Sequence, residues 1–345
     1  MIPVVSATAY EAARQRAAFL DRSDRARLVV SGADRASYLQ GLLTNDVLAL
    51  NAGAGCYAAY LTPQGRMIAD LYLYELGDLM LLTLDRGVKQ TVLAKLDQFI
   101  FSEDVQLGDV TDTFAQIAIV GPEAAAIVAR LLTGAPVDAL NALGEHGNLR
   151  ATWDGEPAIV TRITDTGEAG FDVFVDRAKA EAFTAAVAGA GAAALDEQTA
   201  EAIRIEAGVP RFRHDMDEDT IPLEAGIEPR AISFTKGCYV GQEVIIRVLH
   251  RGHGRVARRL VGLVFDHRDH RAHRDGDRAP ASGAPVRSGD REIGRVTSSA
   301  WSPALSRLIA LAYVHRDFVA PGTVVSIDGT NAEVASIPFV TPRQP

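Results

Sequence analysis

The segment 56-CYAAYLTPQGRMIADLYLY-74 decides the fold class of this chain. Two apolar and aromatic runs, residues 56–61 and 66–74, flank the tetrapeptide Thr62-Pro63-Gln64-Gly65. Because Pro and Gly in such a tetrapeptide favour a tight turn, we predict a β-hairpin here. Gly77-Asp78 predicts a second turn, which leads into a strand over residues 79–84. The segment therefore predicts an antiparallel β-meander.

One carboxylate interrupts the apolar pattern of the second strand. Side chains of a strand alternate between its two faces, so Ile68, Asp70, Tyr72 and Tyr74 share one face. A carboxylate among apolar and aromatic neighbours is costly unless it has a partner. Asp70 is therefore a candidate pocket residue, and a place on a solvated rim of the sheet is the alternative interpretation.

Helical and strand patterns alternate loosely on both sides of the meander. We predict helices over residues 11–20, 34–43, 87–99, 122–132, 178–188 and 195–207, and strands over 27–30, 114–120, 159–163 and 171–175. Hairpins in place of a strict strand-helix-strand rhythm favour the α+β class over a doubly wound parallel sheet. Towards the C-terminus, short β segments separated by Gly and Pro predict a small β-barrel or sandwich.

Composition excludes several classes of protein. The chain has 345 residues, 48% of them hydrophobic, and its net charge of −9 argues against a general nucleic-acid binder. No apolar run approaches the ~20 residues that span a bilayer. The first residues, Met1-Ile2-Pro3-Val4-Val5-Ser6, lack the basic residues that precede the apolar core of a signal peptide. We therefore predict a cytoplasmic protein with no membrane partner.

A second candidate site is the octapeptide K-G-C-Y-V-G-Q-E at residues 236–243. A nearby cation favours the reactive thiolate, so Lys236 beside Cys238 indicates a reactive cysteine. Gly237 and Gly241 permit backbone conformations that a side chain would block. A glycine-bearing turn with an incidental cysteine is the alternative. Since the only other cysteine is Cys56, we expect neither a metal cluster nor a structural zinc held by this chain alone.

A third candidate is a carboxylate at the end of the predicted helix 195–207. Glu206 lies in the last turn, where the helix dipole disfavours an anion by about 0.3–1 kcal/mol at exposed sites. Such a carboxylate either serves a ligand or is simply solvated. The tripeptide Glu-Ala-Gly recurs at residues 224–226, which makes Glu224 a second candidate.

Taken together, these segments resemble the aminomethyltransferase (glycine-cleavage T-protein) superfamily, and most closely its YgfZ-type branch. The octapeptide matches the K-G-C-Y-x-G-Q-E signature of that branch, and further blocks of likeness lie at residues 30–34, 39–46, 61–66, 205–210, 298–303, 309–314 and 338–339. The resemblance implies two interleaved α+β lobes around a central folate channel, over residues 1–254, and a C-terminal β-barrel over residues 255–345. One departure is Ala69-Asp70, where T-proteins carry paired acids, one of them catalytic.

The resemblance also implies tetrahydrofolate or a derivative as the cofactor. A carboxylate accepts adjacent pterin N–H groups in bidentate fashion, and Glu206 matches the family's pterin-binding carboxylate, with Glu224 as the second candidate. Tyr239, or one of Tyr57, Tyr60 and Tyr72, would stack on the ring. The remaining residues that the octapeptide contributes to the predicted folate site are Gly237, Gly241, Gln242 and Glu243.

Two functions follow from the resemblance. The primary prediction is a folate-binding accessory protein for iron–sulfur cluster assembly or repair, in which Cys238, activated by Lys236, is a transient thiol ligand or redox contact. Iron–sulfur proteins or assembly factors would then be transient partners. The alternative is a folate-dependent aminomethyl- or methyltransferase with Asp70 as general acid or base.

Overall fold

Helices and strands alternate along the chain in the computed structural model, which describes residues 5–250, 254–266 and 279–341. The helices of these ranges are α1 (Ala7–Gln15), α2 (Arg35–Leu42), α3 (Lys89–Asp97), α4 (Ala124–Leu131), α5 (Val137–Ala142), α6 (Ala180–Gly189), α7 (Glu197–Glu206), α8 (Pro222–Ala225), α9 (Glu228–Ala231) and α10 (Gln242–His250). The strands are β1 (Ala18–Asp21), β2 (Ala26–Ser31), β3 (Gly55–Leu61), β4 (Met67–Glu75), β5 (Leu79–Leu84), β6 (Gln106–Asp109), β7 (Phe114–Val120), β8 (Asn148–Trp153), β9 (Glu156–Ile163), β10 (Gly170–Asp176), β11 (Ala193–Ala194), β12 (Arg258–Phe265), β13 (Pro285–Ser288), β14 (Arg291–Ser302), β15 (Arg307–His315), β16 (Val324–Ile327) and β17 (Thr330–Ala335).

The predicted meander forms the centre of a five-stranded antiparallel sheet. Its strands lie in the order β3-β4-β5-β2-β6. In the register of β3 and β4, Tyr57 lies opposite Tyr72 and Ala59 lies opposite Asp70. All nine residues of β4 are buried. The sheet is therefore covered on both faces at this strand, and Asp70 lies inside the protein.

A six-stranded sheet, in the order β11-β1-β7-β10-β9-β8, forms the second lobe. The prediction of one helix over residues 11–20 is wrong in its second half, because α1 ends at Gln15 and residues 18–21 form β1. This short strand pairs with both β7 and β11. Ala17 and Phe19 pack into one apolar cluster and Ala18 into another, so burial on two faces of a sheet outweighs helix propensity.

The last six strands close into an antiparallel barrel, in the order β12-β15-β14-β13-β16-β17, with β17 returning to β12. The prediction of an α+β fold with a C-terminal β-barrel is confirmed. Helix α7 lies between this barrel and the six-stranded sheet, since Ile205 packs with barrel residues and Ile203 with α1 and β7. The division after residue 254 stays a prediction, and the first barrel strand begins at Arg258.

The described part of the chain contains no helix that is both long enough and apolar enough to cross a membrane.

Candidate functional site

A cavity of about 110 Å³ lies where the two lobes and α7 meet. Strand β4 contributes Asp70 and Tyr72 to its wall, and the segment between β1 and β2 contributes Arg22 and Arg25. Its further lining residues include Asp165, Glu201, Arg204 and Phe212. The structure therefore brings Asp70 together with charged residues from distant parts of the sequence.

Asp70 is a buried carboxyl with one side-chain hydrogen bond. It is 8% exposed, and its Oδ2 accepts a hydrogen bond from the Tyr57 hydroxyl at 2.8 Å. Its other oxygen receives no hydrogen bond from the described residues. Burial raises the pKa of Asp70 above its ordinary value, against the lowering effects of Arg25 and Tyr57. A buried carboxyl with a raised pKa in a cavity wall suits general acid–base chemistry.

Two tyrosines and a histidine form an aromatic wall beside Asp70. The Tyr57 and Tyr72 rings lie 5.0 Å apart, and the His146 ring lies 5.3 Å from that of Tyr72. The Arg230 guanidinium lies 5.5 Å from the Tyr57 ring centroid. Of the tyrosines predicted to stack on a ligand, Tyr57 and Tyr72 thus adjoin the cavity. The Tyr60 hydroxyl instead donates to the Lys95 carbonyl on the other side of β3.

His146 occupies a strained backbone position in this wall. Its φ is +61°, a left-handed conformation that is uncommon for residues other than glycine and is often found at functional sites. The imidazole is buried, and Nδ1 has no hydrogen-bond partner among the described residues. Burial lowers the pKa of His146 to about 4, so the ring is neutral at physiological pH.

Ion pairs hold several of the other charged groups of the cavity. Arg22 pairs with Asp165 and, at 3.2 Å, with Asp172. Burial alone would raise the pKa of Asp165, but the Arg22 guanidinium outweighs it and lowers that pKa to about 2. Arg25, by contrast, has a buried Nε with no hydrogen-bond partner among the described residues. Among the residues that line the cavity, the Arg25 Nε and one carboxylate oxygen of Asp70 thus have no hydrogen-bond partner in the described part of the chain.

Glu206 lies outside this cavity. Its carboxylate is fully buried and accepts hydrogen bonds from the Tyr10 hydroxyl at 2.7 Å, from Arg14 and from Ser302. These partners link α7 to α1 and to the barrel. The cation of Arg14, which also pairs with Glu168, offsets the unfavourable position of Glu206 at a helix C-terminus.

Glu224 lies in a different cleft. It belongs to α8, and its Oε2 accepts a hydrogen bond from the Arg258 Nε at 3.0 Å. This cleft, of about 740 Å³, is bordered by the barrel and the β3–β4 turn and is also lined by Tyr313 and Arg295. The two glutamates predicted to bind the pterin are therefore separated from Asp70 and from each other.

The octapeptide begins with a lysine that binds the end of α2. The Lys236 ammonium donates to the carbonyls of Gln40 at 2.7 Å, Leu43 at 2.7 Å and Asn45 at 2.9 Å. None of these three bonds goes to Cys238, whose side chain is exposed. Burial lowers the pKa of Lys236 to about 8. The described role of Lys236 is thus to satisfy carbonyls at a helix C-terminus, where a cation is favourable.

In the rest of the octapeptide, Gly241 packs on the β3–β4 turn. Gly241 has a φ of +85°, and a Cβ there would lie 2.6 Å from the Thr62 carbonyl oxygen. Tyr239 is buried, with the Lys236 ammonium 5.2 Å from its ring, whereas Gly237 has open space around its Cα. Gln242 and Glu243 begin α10, and the exposed Glu243 pairs with Arg247 one turn later.

The sequence analysis did not predict several residues in or near the cavity. Glu201 and Arg204 are three apart on a helix that was predicted, and this spacing of opposite charges was a usable signal. Arg25, Asp165 and His146 lie in connecting segments without a motif, and only the fold brings them near Asp70.

Two protein-family models match most of the chain. Residues 4–236 match the model of the GCVT N-terminal domain, and residues 258–341 match that of the glycine cleavage T-protein C-terminal barrel domain. An aminomethyltransferase of Streptomyces avermitilis is 34% identical over 339 residues, covering 95% of this chain and 87% of the relative. An aminomethyltransferase of Rubrobacter xylanophilus is 34% identical over 305 residues, covering 88% of this chain and 78% of the relative.

A solved structure shows the same fold over nearly the whole chain. The glycine cleavage system aminomethyltransferase T from Bartonella henselae superposes with a TM-score of 0.83 at 24% identity, covering 99% of this chain and 92% of that one. At this identity the likeness supports the fold alone, and it confirms the predicted two α+β lobes and C-terminal barrel.

The primary functional prediction, an accessory role in iron–sulfur cluster assembly with iron–sulfur partners, is wrong. It is overturned by relatives of 34% identity over most of the chain, which are named aminomethyltransferases and favour the alternative prediction. Because the two domain models together match most of its length, the chain belongs to the glycine-cleavage T-protein family.

Proposed function

We propose that this chain binds tetrahydrofolate with its reacting nitrogens at the cavity beside Asp70 and transfers an aminomethyl or methyl group between an amine donor and a folate nitrogen. The predicted cofactor agrees with the family, which binds tetrahydrofolate. The observation that carries the proposal is the pair of available polar groups in one cavity, the Asp70 carboxyl and the Arg25 Nε.

These two groups fit the heterocycle of folate. A pterin presents N–H donors beside a carbonyl acceptor, and a buried donor or acceptor without a partner is costly until a ligand satisfies it. Asp70 would accept from ring N–H groups and Arg25 would donate to a ring acceptor. The tilted rings of Tyr57 and Tyr72 add an aromatic surface against which a flat ring packs.

Asp70 is the proposed proton carrier of the reaction. Group transfer to or from a secondary amine requires a proton to leave or return to nitrogen, and a carboxyl within hydrogen-bond reach performs that step. Because burial raises the pKa of Asp70, its acid form persists to a higher pH than usual. The group is therefore better matched to proton transfer near neutral pH than an exposed aspartate.

Membership of the YgfZ-type branch is a finer proposal, supported by the octapeptide at residues 236–243 and by Ala69 in place of a second acid. The predicted site roles of Cys238, Lys236, Tyr239 and their octapeptide neighbours are likewise proposals. The packing of Gly241 on the β3–β4 turn supports an influence of this loop on the strand that contains Asp70.

The test combines calorimetry with turnover. Tetrahydrofolate is titrated into the wild type, Asp70→Asn and Glu206→Ala, and tetrahydrofolate-dependent turnover of aminomethyl and N-methyl amine donors is measured. We expect Asp70→Asn to weaken folate binding, because it loses the charged acceptor of the ring N–H groups, and to lose turnover at saturating tetrahydrofolate by about 10²–10⁴-fold. Because Glu206 binds Tyr10, Arg14 and Ser302, Glu206→Ala should act mainly on stability.

The matched control is Glu75→Gln, which changes another buried carboxylate of β4, paired with Arg35 at 3.1 Å and outside the cavity lining. It should leave turnover within a few-fold of the wild type. Absence of tetrahydrofolate binding to the wild type, or full turnover by Asp70→Asn, would refute the proposal.

A further inference from the structure

A cation lies over the aromatic ring whose hydroxyl donates to Asp70. The Arg230 guanidinium lies 5.5 Å from the Tyr57 ring centroid, within the distance at which a ring face attracts a cation. The hydroxyl of the same ring donates to the Asp70 carboxylate at 2.8 Å. Arg230 itself does not belong to the lining of the cavity. Its effect on Asp70 therefore passes through the Tyr57 ring or acts over a distance as a charge.

Hydrogen bonds hold the Arg230 guanidinium in this place. Its Nη2 and Nε donate to Oε1 of Glu145 at 2.7 and 3.2 Å, and Nη2 also donates to the Thr164 hydroxyl at 3.3 Å. The Nε2 atom of His146 lies 3.4 Å from the same Glu145 oxygen. Because these bonds start from one rigid, planar group, they fix its orientation over the ring.

One side-chain amide joins the two segments that carry Arg230 and Tyr57. The Nδ2 of Asn45 donates to the carbonyl of Tyr57 at 2.9 Å and to the carbonyl of Arg230 at 3.0 Å. The carbonyl of Asn45 in turn accepts a hydrogen bond from the Lys236 ammonium at 2.9 Å. Asn45 thus links the octapeptide to β3 and α9, the two elements whose side chains meet at the Tyr57 ring.

The charge of Arg230 favours the hydrogen bond from Tyr57 to Asp70. A cation over a phenol ring draws electron density from the hydroxyl, which makes the O–H a stronger donor. Burial raises the pKa of Tyr57, and the Arg230 guanidinium acts in the opposite direction. The other charged or titratable groups that act on Asp70 or on Arg230 are Arg25, Tyr72, Asp85, Glu145, His146 and Asp165. Among the hydrogen bonds and ring contacts of the described residues, only Tyr57 joins Arg230 to Asp70.

We propose that Arg230 is a positioning residue of the transfer reaction, which holds the Tyr57 hydroxyl on the Asp70 carboxylate. Its effect on turnover rests on the proposed function, whereas the ionisation of Asp70 reports on it without any reaction. Arg230→Met removes the cation, so Asp70 keeps a weaker donor to its ionised form. The acidic midpoint of the kcat–pH profile should then move upward by about 0.5 pH unit. Arg230→Lys keeps a cation and should restore roughly half of this shift or more.

Infrared titration measures the ionisation of Asp70 directly, since Asp70→Asn identifies the carboxyl band by its loss. The midpoint of this band should rise by about 0.5 pH unit in Arg230→Met and return most of the way in Arg230→Lys. Arg230→Gln, which is also neutral but can still bond Glu145, replaces Arg230→Met if that variant does not fold. An unmoved midpoint in the neutral variant, or Arg230→Lys titrating like it, would overturn the proposal.

The matched control is Arg291→Met, which removes a cation 5.6 Å from the Phe318 ring in the barrel. It should move neither the infrared nor the kinetic midpoint, and a shift equal to that of Arg230→Met would show that the effect is not specific to the Tyr57 ring.

A double variant separates action through the ring from action over a distance. Tyr57→Phe lacks the hydroxyl, so adding Arg230→Met to it should move the Asp70 midpoint by less than about 0.2 pH unit. A shift of the same size with and without the hydroxyl would reveal a direct charge effect and exclude the role of Tyr57. If the wild type turns over no amine donor while the infrared midpoints move as expected, the proposed function is wrong and the link from Arg230 to Asp70 is confirmed.

Discussion

Burial raises the pKa of Asp70 and the hydroxyl of Tyr57 counteracts this rise. Tyr57→Phe removes this hydroxyl alone. The hydroxyl donates to the carboxylate at 2.8 Å in a fully buried setting. A hydrogen bond to a charged group contributes about 1.5–3 kcal/mol, and 1.36 kcal/mol corresponds to one pH unit of a titration. Because the bond favours the ionised form, its loss raises the pKa of Asp70.

The expected result is a displaced pH–rate profile. If turnover requires ionised Asp70, the acidic midpoint of kcat in Tyr57→Phe should move upward by about one to two pH units. At high pH, above both midpoints, turnover should return to within about tenfold of the wild type. Stability provides an independent measure: near neutral pH the variant should lose about 1.5–3 kcal/mol of unfolding free energy.

The stability effect has a definite dependence on pH. The pKa of Asp70 is higher in the folded protein than its value of about 3.9 in the unfolded chain. The stability that Asp70 contributes is therefore fully present below about pH 3.9 and is lost as the pH rises through the folded-state pKa. The difference between Tyr57→Phe and the wild type should therefore shrink below about pH 4, where Asp70 is protonated in both proteins. Urea unfolding across the pH range measures it.

Tyr60→Phe is the matched control, since Tyr60 is on the same strand, is equally buried, and donates to a neutral carbonyl at 3.3 Å. Its pH–rate profile should not move. An unmoved or downward-shifted midpoint in Tyr57→Phe would show that the Tyr57 hydroxyl does not control the ionisation of Asp70.

Two further predictions concern the octapeptide. Lys236→Met removes the donor to three carbonyls, one of them buried and two part-buried, and should lower the free energy of unfolding in urea by about 2–5 kcal/mol. A loss below about 1 kcal/mol would contradict the anchoring role. Gly241→Ala strains a backbone with φ of +85° and places a Cβ 2.6 Å from the Thr62 carbonyl oxygen. It should therefore lower the free energy of unfolding by about 1–3 kcal/mol. Gly237→Ala is the control for Gly241→Ala, because a Cβ at residue 237 has open space. Equal losses of unfolding free energy in the two variants would refute the explanation by strain and close contact.

The parts of the fold that local chemistry determines were predictable from the sequence. The Thr62–Gly65 turn and the alternation around Asp70 act within a few residues. They therefore indicated the hairpin and made Asp70 a candidate pocket residue, with a solvated rim as the alternative. The short Gly- and Pro-bounded segments of the C-terminus indicated a barrel or a sandwich for the same reason, and the structure has the barrel.

Contacts between distant residues were not predictable in this way. Glu206 stood out at a helix end, but its partners Arg14 and Ser302 lie 192 and 96 residues away along the chain. Lys236 is two residues from Cys238, yet its long side chain reaches the end of α2. Proximity in sequence therefore suggested a neighbour for Lys236 that the packing does not provide.

The position of β1 has a consequence for synthesis of the chain. The backbone N–H of Ser6, just before α1, donates to the Thr199 hydroxyl 193 residues later, and β1 pairs with β7 and β11. At roughly 5–20 residues per second, a ribosome needs about 10–40 s to make the intervening chain. The five-stranded sheet has all its strands once residue 109 has been made, whereas the N-terminal segment still lacks β7, β11 and Thr199 at that point. Non-local pairing of this kind slows folding, and the nascent N-terminus is exposed to aggregation and to chaperones.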